Sequence, residues 1–170
     1  QPSMESLQHI AGRLSVDLAR LVGNENLEEV RGMLREVEAI WKTVTVFDTE
    51  LAAKVSNLIK PYLSKMPETY EGAKALQIYC EALYVTGDEQ TVIERYAERA
   101  ETIYKKIHLY TEYVKARLFR AAILFRSHNY SSALQAILKL RDEIGKNGWV
   151  ISEIILLELL YYEAIFYYAI

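Results

Sequence analysis

The sequence predicts an all-α fold: a right-handed α-solenoid of antiparallel, tetratricopeptide-like helix pairs, with about eight helices. Three observations carry that prediction. Apolar residues recur at spacings of three and four along nearly the whole chain, which puts them on one face of successive helices. Glycine and proline, which interrupt helices, number only 7 and 3 in 170 residues, whereas an all-β chain needs many turn residues. The segment 116–140, ARLFRAAILFRSHNYSSALQAILKL, reads as helix, polar turn and helix, with small residues at Ala121 and Ala133 that let two backbones approach.

The first helix is expected over 5–22, where Leu7, Ile10, Ala11, Leu14, Leu18 and Leu21 form one apolar face before Gly23-Asn24. The second, over 27–44, carries Val30, Leu34, Val37, Ile40 and Trp41. Asn26 suits its cap, and Glu28 and Glu29 suit the positive end of its dipole. The β-branched run 43–47 has no partner strand and is assigned to a helix end and a turn. Asp48 or Thr49 opens a third helix over 50–65, built on Leu51, Val55, Leu58, Ile59 and Leu63. Pro61 lies inside it and removes a backbone donor, so the helix should kink or end near Lys60.

The fourth helix, 69–86, shows Ala73, Leu76, Ile78, Tyr79, Leu83 and Tyr84 before Gly87-Asp88. The fifth, 89–107, shows Val92, Ile93, Tyr96, Ala100, Ile103 and Tyr104. The sixth, 110–126, and the seventh, 131–144, form the hairpin described above. GKNG at 145–148 is a turn, and the eighth helix runs from about 149 to the end. No long polar linker divides the chain, so 1–170 is read as one domain. The final run, LLELLYYEAIFYYAI, is apolar enough that a further helix is expected to cover it, and the chain is read as a fragment.

The same sequence argues against most chemistry. A net charge of −3 with interspersed signs does not suit nucleic acid, and no run of about 20 uncharged apolar residues suits a membrane span. His9, His108 and His128 are scattered without metal-ligand spacing; His128 reads as a solvated turn residue. The single Cys80 has no CxxC partner and reads as a small buried side chain. No phosphate-binding glycine motif or nucleophile elbow is present, so no catalytic residue, metal, cofactor or small-molecule substrate is assigned, and the chain is read as no enzyme. Two groups are candidates for partner binding. Lys105, Lys106, Lys115, Arg117, Arg120 and Arg126 cluster around the sixth helix, with Arg117 and Arg120 on one side of it. Among 13 tyrosines, Tyr161, Tyr162, Tyr167 and Tyr168 are the densest group, suited either to line a groove or to pack under a following helix.

The segment 109–158 resembles the helical-repeat region of the PCI-domain proteins of the proteasome lid, those of the sixth non-ATPase type in the 26S regulatory particle. The matching positions are Ala116-Arg117-Leu118, Ile123-Leu124-Phe125, Tyr130, Ala133-Leu134, Leu140 to Ile144, Ser152-Glu153-Ile154 and Leu156-Leu157-Glu158. Upstream, Leu18-Ala19-Arg20 before Gly23 resembles an early segment of that family. The turn 145–150 is about two residues shorter than the family's, and GKNGW replaces its lysine- and aspartate-rich turn. The resemblance implies a scaffold, in the cytoplasm and nucleus, acting in ubiquitin-dependent degradation. Its implied partners are other proteasome subunits: the core α-ring, the ATPase base and the PCI subunits of the lid. It implies packing roles for Phe125, Tyr130, Ala133 and Leu134, beside the small residue Ala121 of the helix-pair pattern, and a C-terminal winged-helix PCI domain beyond this chain. The related second subunit of the COP9 signalosome, or a general tetratricopeptide-like adaptor, is the alternative reading.

Overall fold

The structure, a computed structural model, describes residues 4–14, 25–45 and 48–170. Among these residues there are eight α-helices and no strand. They are α1 (Met4–Leu14), α2 (Glu25–Trp41), α3 (Thr49–Ile59), α4 (Tyr70–Thr86), α5 (Gln90–Lys106), α6 (Tyr110–Arg126), α7 (Tyr130–Asn147) and α8 (Glu153–Tyr168). The predicted helices match these in order and nearly in length. The part of the first predicted helix over 15–22, with Leu18, Ala19, Arg20 and Leu21, lies outside the described residues, as do 46–47.

Pro61 acts as its chemistry requires. The α-helix α3 ends at Ile59, and Lys60–Lys65 winds on as a 3₁₀ segment with the proline in its first turn. At the other end of α3, the Asp48 carboxylate accepts from the Leu51 N–H at 3.0 Å. Arg99 of α5 then ties the 3₁₀ segment down, donating to the carbonyls of Leu63 at 3.0 Å and Met66 at 2.8 Å. The guanidinium thus adds charge-assisted hydrogen bonds at the end of the short helix.

From α3 to α8 each helix packs on the next, and α2 packs on both α3 and α4. Neighbours run antiparallel, so helices two apart run parallel. Arg126, at the end of α6, donates to the Tyr84 carbonyl near the end of α4 at 2.7 Å. Lys105, near the end of α5, meets Glu143, near the end of α7, at 2.7 Å. This is the one-dimensional stacking of a solenoid-like array, with a single core running through it. Helix α4 is the most enclosed, with Leu76, Ile78, Tyr79, Cys80, Ala82 and Leu83 all buried among α2, α3 and α5.

The four turns from α4 onward close in the same way. Each has one residue in the left-handed region: Gly87 at φ 80°, His108 at φ 60°, His128 at φ 60° and Gly148 at φ 61°. The next N–H reaches five residues back, as in Leu109 to Tyr104, Asn129 to Leu124, Trp149 to Ile144 and Asp88 to Leu83. That bond satisfies a carbonyl the helix end leaves free and fixes a tight reversal. Two of the four positions are histidine, which tolerates φ > 0 better than most side chains. In both, ring Nδ1 lies within hydrogen-bond distance of a tyrosine hydroxyl two residues on, 2.8 Å for His108 and Tyr110, 2.7 Å for His128 and Tyr130.

Candidate functional site

The α6–α7 hairpin brings the predicted packing residues together. Ala121 and Ala133 are fully buried, and Leu134 is buried beside them. Phe125, in the last turn of α6, contacts the Tyr130 ring that opens α7, with centroids 5.0 Å apart. Its other face stacks on Phe166 of α8 at 4.6 Å. Phe125 therefore links three consecutive helices. At the opposite end of the hairpin, Trp149 stacks on Tyr110 at 4.4 Å and meets Tyr113 edge-on at 5.4 Å. Aromatic contacts at both ends hold α8 parallel to α6.

The basic residues around α6 are all partnered. Arg117 and Arg120, one turn apart, both reach Glu101 of α5, at 3.2 and 2.5 Å. Lys105 pairs with Glu143 and Lys106 with Glu68, linking α5 to its surroundings, while Lys115 pairs with Glu112 on its own helix. Arg126 lies over the Tyr84 ring at 4.4 Å while holding its carbonyl. Arg117 and Lys105 flank the Tyr113 ring, and the Tyr113 hydroxyl donates to Glu143 at 2.9 Å. The group bounds an open cleft of about 490 Å³ between α5, α6 and α7, lined by Glu101, Lys105, Tyr113, Arg117 and Glu143. Burial pushes the Glu143 carboxyl up, but the Lys105 and Tyr113 hydrogen bonds outweigh it and hold it below the usual range.

A second polar cluster was not legible in the sequence. Trp41 Nε1 donates to Glu81 Oε2 at 3.1 Å, Gln77 Nε2 donates to Glu81 Oε1 at 2.8 Å, and the Tyr104 hydroxyl donates to Gln77 Oε1 at 3.0 Å. These residues come from α2, α4 and α5, so one hydrogen-bonded chain crosses three helices. Burial pushes the Glu81 carboxyl up, against the pull of Gln77, Lys74 and Trp41. Cys80, beside it, is fully buried; its thiol donates to the Ile93 carbonyl at 3.4 Å, and burial pushes its pKa up.

The two central tyrosines of α8 part company. Tyr162 is half-buried and packs against Phe166 at 5.6 Å, whereas Tyr161 is 62% exposed. Among the described residues no three His, Cys, Asp or Glu side chains could hold a metal, and no helix is long and apolar enough to cross a membrane. In comparisons with known proteins, no family profile, no curated protein and no solved structure matches the chain.

Proposed function

We propose that the chain is a non-catalytic scaffold arm: the helical-repeat region of a PCI-family lid subunit of the 26S proteasome regulatory particle, serving ubiquitin-dependent protein degradation. The observation that carries this reading is the α6–α7 hairpin. Phe125, Tyr130, Ala133 and Leu134, which carry the resemblance, converge there with the small residue Ala121 as the packing core of one repeat within a longer stack.

The mechanism is mechanical. Stacked helices add reach in steps of roughly 10 Å, the usual interaxial distance. The ties between alternate helices, Arg31 to Glu71, Lys105 to Glu143 and Arg126 to Tyr84, resist bending between neighbours. A stiff arm of this kind braces the core α-ring against the ATPase ring while the PCI subunits of the lid assemble at its far end. Its partners are proteins, without nucleic acid, membrane or small-molecule substrate, and its place is the cytoplasm and nucleus.

The test is co-sedimentation of the full-length protein with purified core particle and ATPase base. The reading expects association with both, and loss of intact 26S particle on deletion of the gene. Failure to associate with either, together with an intact particle after deletion, overturns it. Association with the COP9 signalosome instead would assign the arm to the related complex. The open cleft between α5, α6 and α7 favours a second reading, an adaptor that holds a short peptide among its alternating charges. Micromolar peptide binding that is lost on Lys105→Glu, with circular dichroism unchanged, would support it.

A further inference from the structure

We propose that the cleft between α5, α6 and α7 receives an extended acidic segment of a partner protein, its carboxylates against Lys105, Lys106 and Arg117 and its next apolar side chain against Leu124 and Ala136. This rests on the peptide-adaptor reading of that cleft and names what the peptide must carry. The cleft continues past its charged end. Beyond Arg117 lies a second hollow of about 240 Å³, lined by Ala121, Leu124 and Ala136 with Glu94 and Arg120 at its edge. Arg117 borders both hollows, so together they form one trough with α6 as its floor. From Tyr113 to Leu124 that floor is about 17 Å long, at about 1.5 Å per residue. An extended chain covers it with about five residues.

Hydrogen-bond capacity identifies the charge of the occupant. The charged end holds three cations, Lys105, Lys106 and Arg117, against two carboxylates, Glu101 and Glu143. Both carboxylates are spent. Glu101 accepts from Arg117 on one oxygen and from Arg120 on the other. Glu143 accepts from Lys105 on Oε1 and from Tyr113 on Oε2. The cations are not spent. Arg117 uses only Nη1, for Glu101 and the Tyr113 hydroxyl, so its Nε and Nη2 have no acceptor among the described residues. Lys105 and Lys106 are exposed, and each donates to a single carboxylate oxygen although an ammonium can donate more than once. The cleft therefore lacks acceptors, and an incoming carboxylate supplies them in charge-assisted form. A basic segment would find no open carboxylate oxygen at this end. Glu101 and Glu143 already hold Arg117 and Lys105 in place, so little side-chain freedom is lost on binding.

A further helix of the same stack is the wrong occupant. Consecutive helices pack on one another along the array, and α5, α6 and α7 already have their sequence neighbours in place. A helix added in series at either end packs away from this cleft.

Three short labelled peptides test this against the full chain by fluorescence anisotropy: glutamates followed by leucines, the same with glutamine for glutamate, and the same with serine for leucine. The glutamate–leucine peptide is expected to bind at least about tenfold more tightly than the glutamine peptide at low salt, with the advantage shrinking as ionic strength rises. It should also bind more tightly than the serine peptide. Lys105→Gln, with circular dichroism unchanged, should reduce the advantage over glutamine several-fold while leaving the affinity of the glutamine peptide unaltered. The comparison of peptides needs no variant, so it decides the matter even if Lys105→Gln unfolds. Equal affinity for glutamate and glutamine overturns the proposal while the adaptor reading stands, whereas no binding by any of the three overturns both. An advantage unchanged in Lys105→Gln places the acid elsewhere and overturns it. Equal affinity for the serine peptide overturns it too, leaving a site for a bare anion. A dimer in sedimentation velocity that the glutamate–leucine peptide dissociates would assign the cleft to a second copy, with the same result.

Discussion

Trp41 donates its indole N–H to Glu81 Oε2 at 3.1 Å, forty positions along the chain. Arg31 and Glu71, at 2.8 Å, are separated by the same forty positions. Two contacts of equal separation at opposite ends fix α2 and α4 as parallel helices in register. Forty residues is therefore the local period of the stack, in the range of helical-pair repeats.

The Glu81 end of this tie makes stability depend on pH. Its carboxyl is raised in the folded chain by burial, so the folded state binds the proton more tightly than the unfolded state does. That contribution is fully present below the ordinary carboxylate value of 4.5 and is lost as pH rises through the folded value. Glu143 has the opposite sign: its lowered carboxyl adds stability at neutral pH that disappears on acidification. Urea unfolding followed by Trp41 fluorescence, with Trp149→Phe as background, should show a decline above pH 4.5 that Glu81→Gln flattens. An unchanged slope in Glu81→Gln refutes the assignment.

Gly72 should not tolerate a side chain. A Cβ built there would lie 2.0 Å from the Pro67 carbonyl oxygen, which is backbone and cannot swing away. Gly72→Ala is expected to cost at least about 1–3 kcal/mol, the usual penalty for overpacking. Gly32, within α2, meets nothing within 4 Å, so Gly32→Ala should instead stabilise by about 0.5–1 kcal/mol. Thermal melts of the two variants should move in opposite directions.

The difference between these glycines marks the limit of what the sequence discloses. Helix order, the break at Pro61 and the burial of Ala121 and Ala133 follow from local rules, because periodicity, proline chemistry and small side chains act within a few residues. The closeness of Gly72 to Pro67 depends on the path of a turn, and the Trp41–Glu81 bond depends on register between helices two apart. Neither leaves a local pattern. The recurring spacing was present in the sequence at 31/71 and 41/81, but opposite charges and a tryptophan forty positions apart carry no signal until register is known. The basic cluster around α6 was visible as charge, whereas its neutralisation by Glu101, Glu143 and Glu68 was not, because those acids come from other elements.

The two histidine turns should accept glycine and reject branched residues. His108 and His128 sit at φ 60°, a region that costs an ordinary L-residue roughly 1–2 kcal/mol and glycine nothing. Each histidine offsets part of that cost by its contact with Tyr110 or Tyr130. His128→Gly is therefore expected to change stability by less than about 0.5 kcal/mol, while His128→Val loses the contact and gains the full strain. The turns lie in different hairpins, so valine at both should cost about the sum. Chemical denaturation of the single and double variants measures this directly.

The small positions of the hairpin admit a similar test. Ala121 and Ala133 have no exposed surface, and Phe125 already fills the end of the hairpin between Tyr130 and Phe166. Leucine at either site should separate α6 from α7 at about 1–3 kcal/mol. For a chain of this size that lowers the melting temperature by about 2–4 °C per kcal/mol. A melt unchanged by both substitutions would contradict the packing.

Glu101 should matter more than either arginine it holds. Arg117 and Arg120 converge on its two oxygens, and the Glu101 side chain is only 12% exposed, against 23% and 32% for the arginines. Removing one arginine leaves the carboxylate with the other. Removing the carboxylate leaves two partly buried guanidinium groups close together without the anion that bridges them. Glu101→Ala is therefore expected to cost about 1–3 kcal/mol, with Arg120→Ala well below that. The triple replacement by alanine should recover part of the loss, because it removes the unpaired charges together. The alternative role for the arginines, docking an acidic partner, predicts a different pattern: stability near wild type in the arginine variants, with binding lost. Denaturation of the single and triple variants, set beside co-sedimentation with core particle and base, separates a clamp within the arm from a contact outside it.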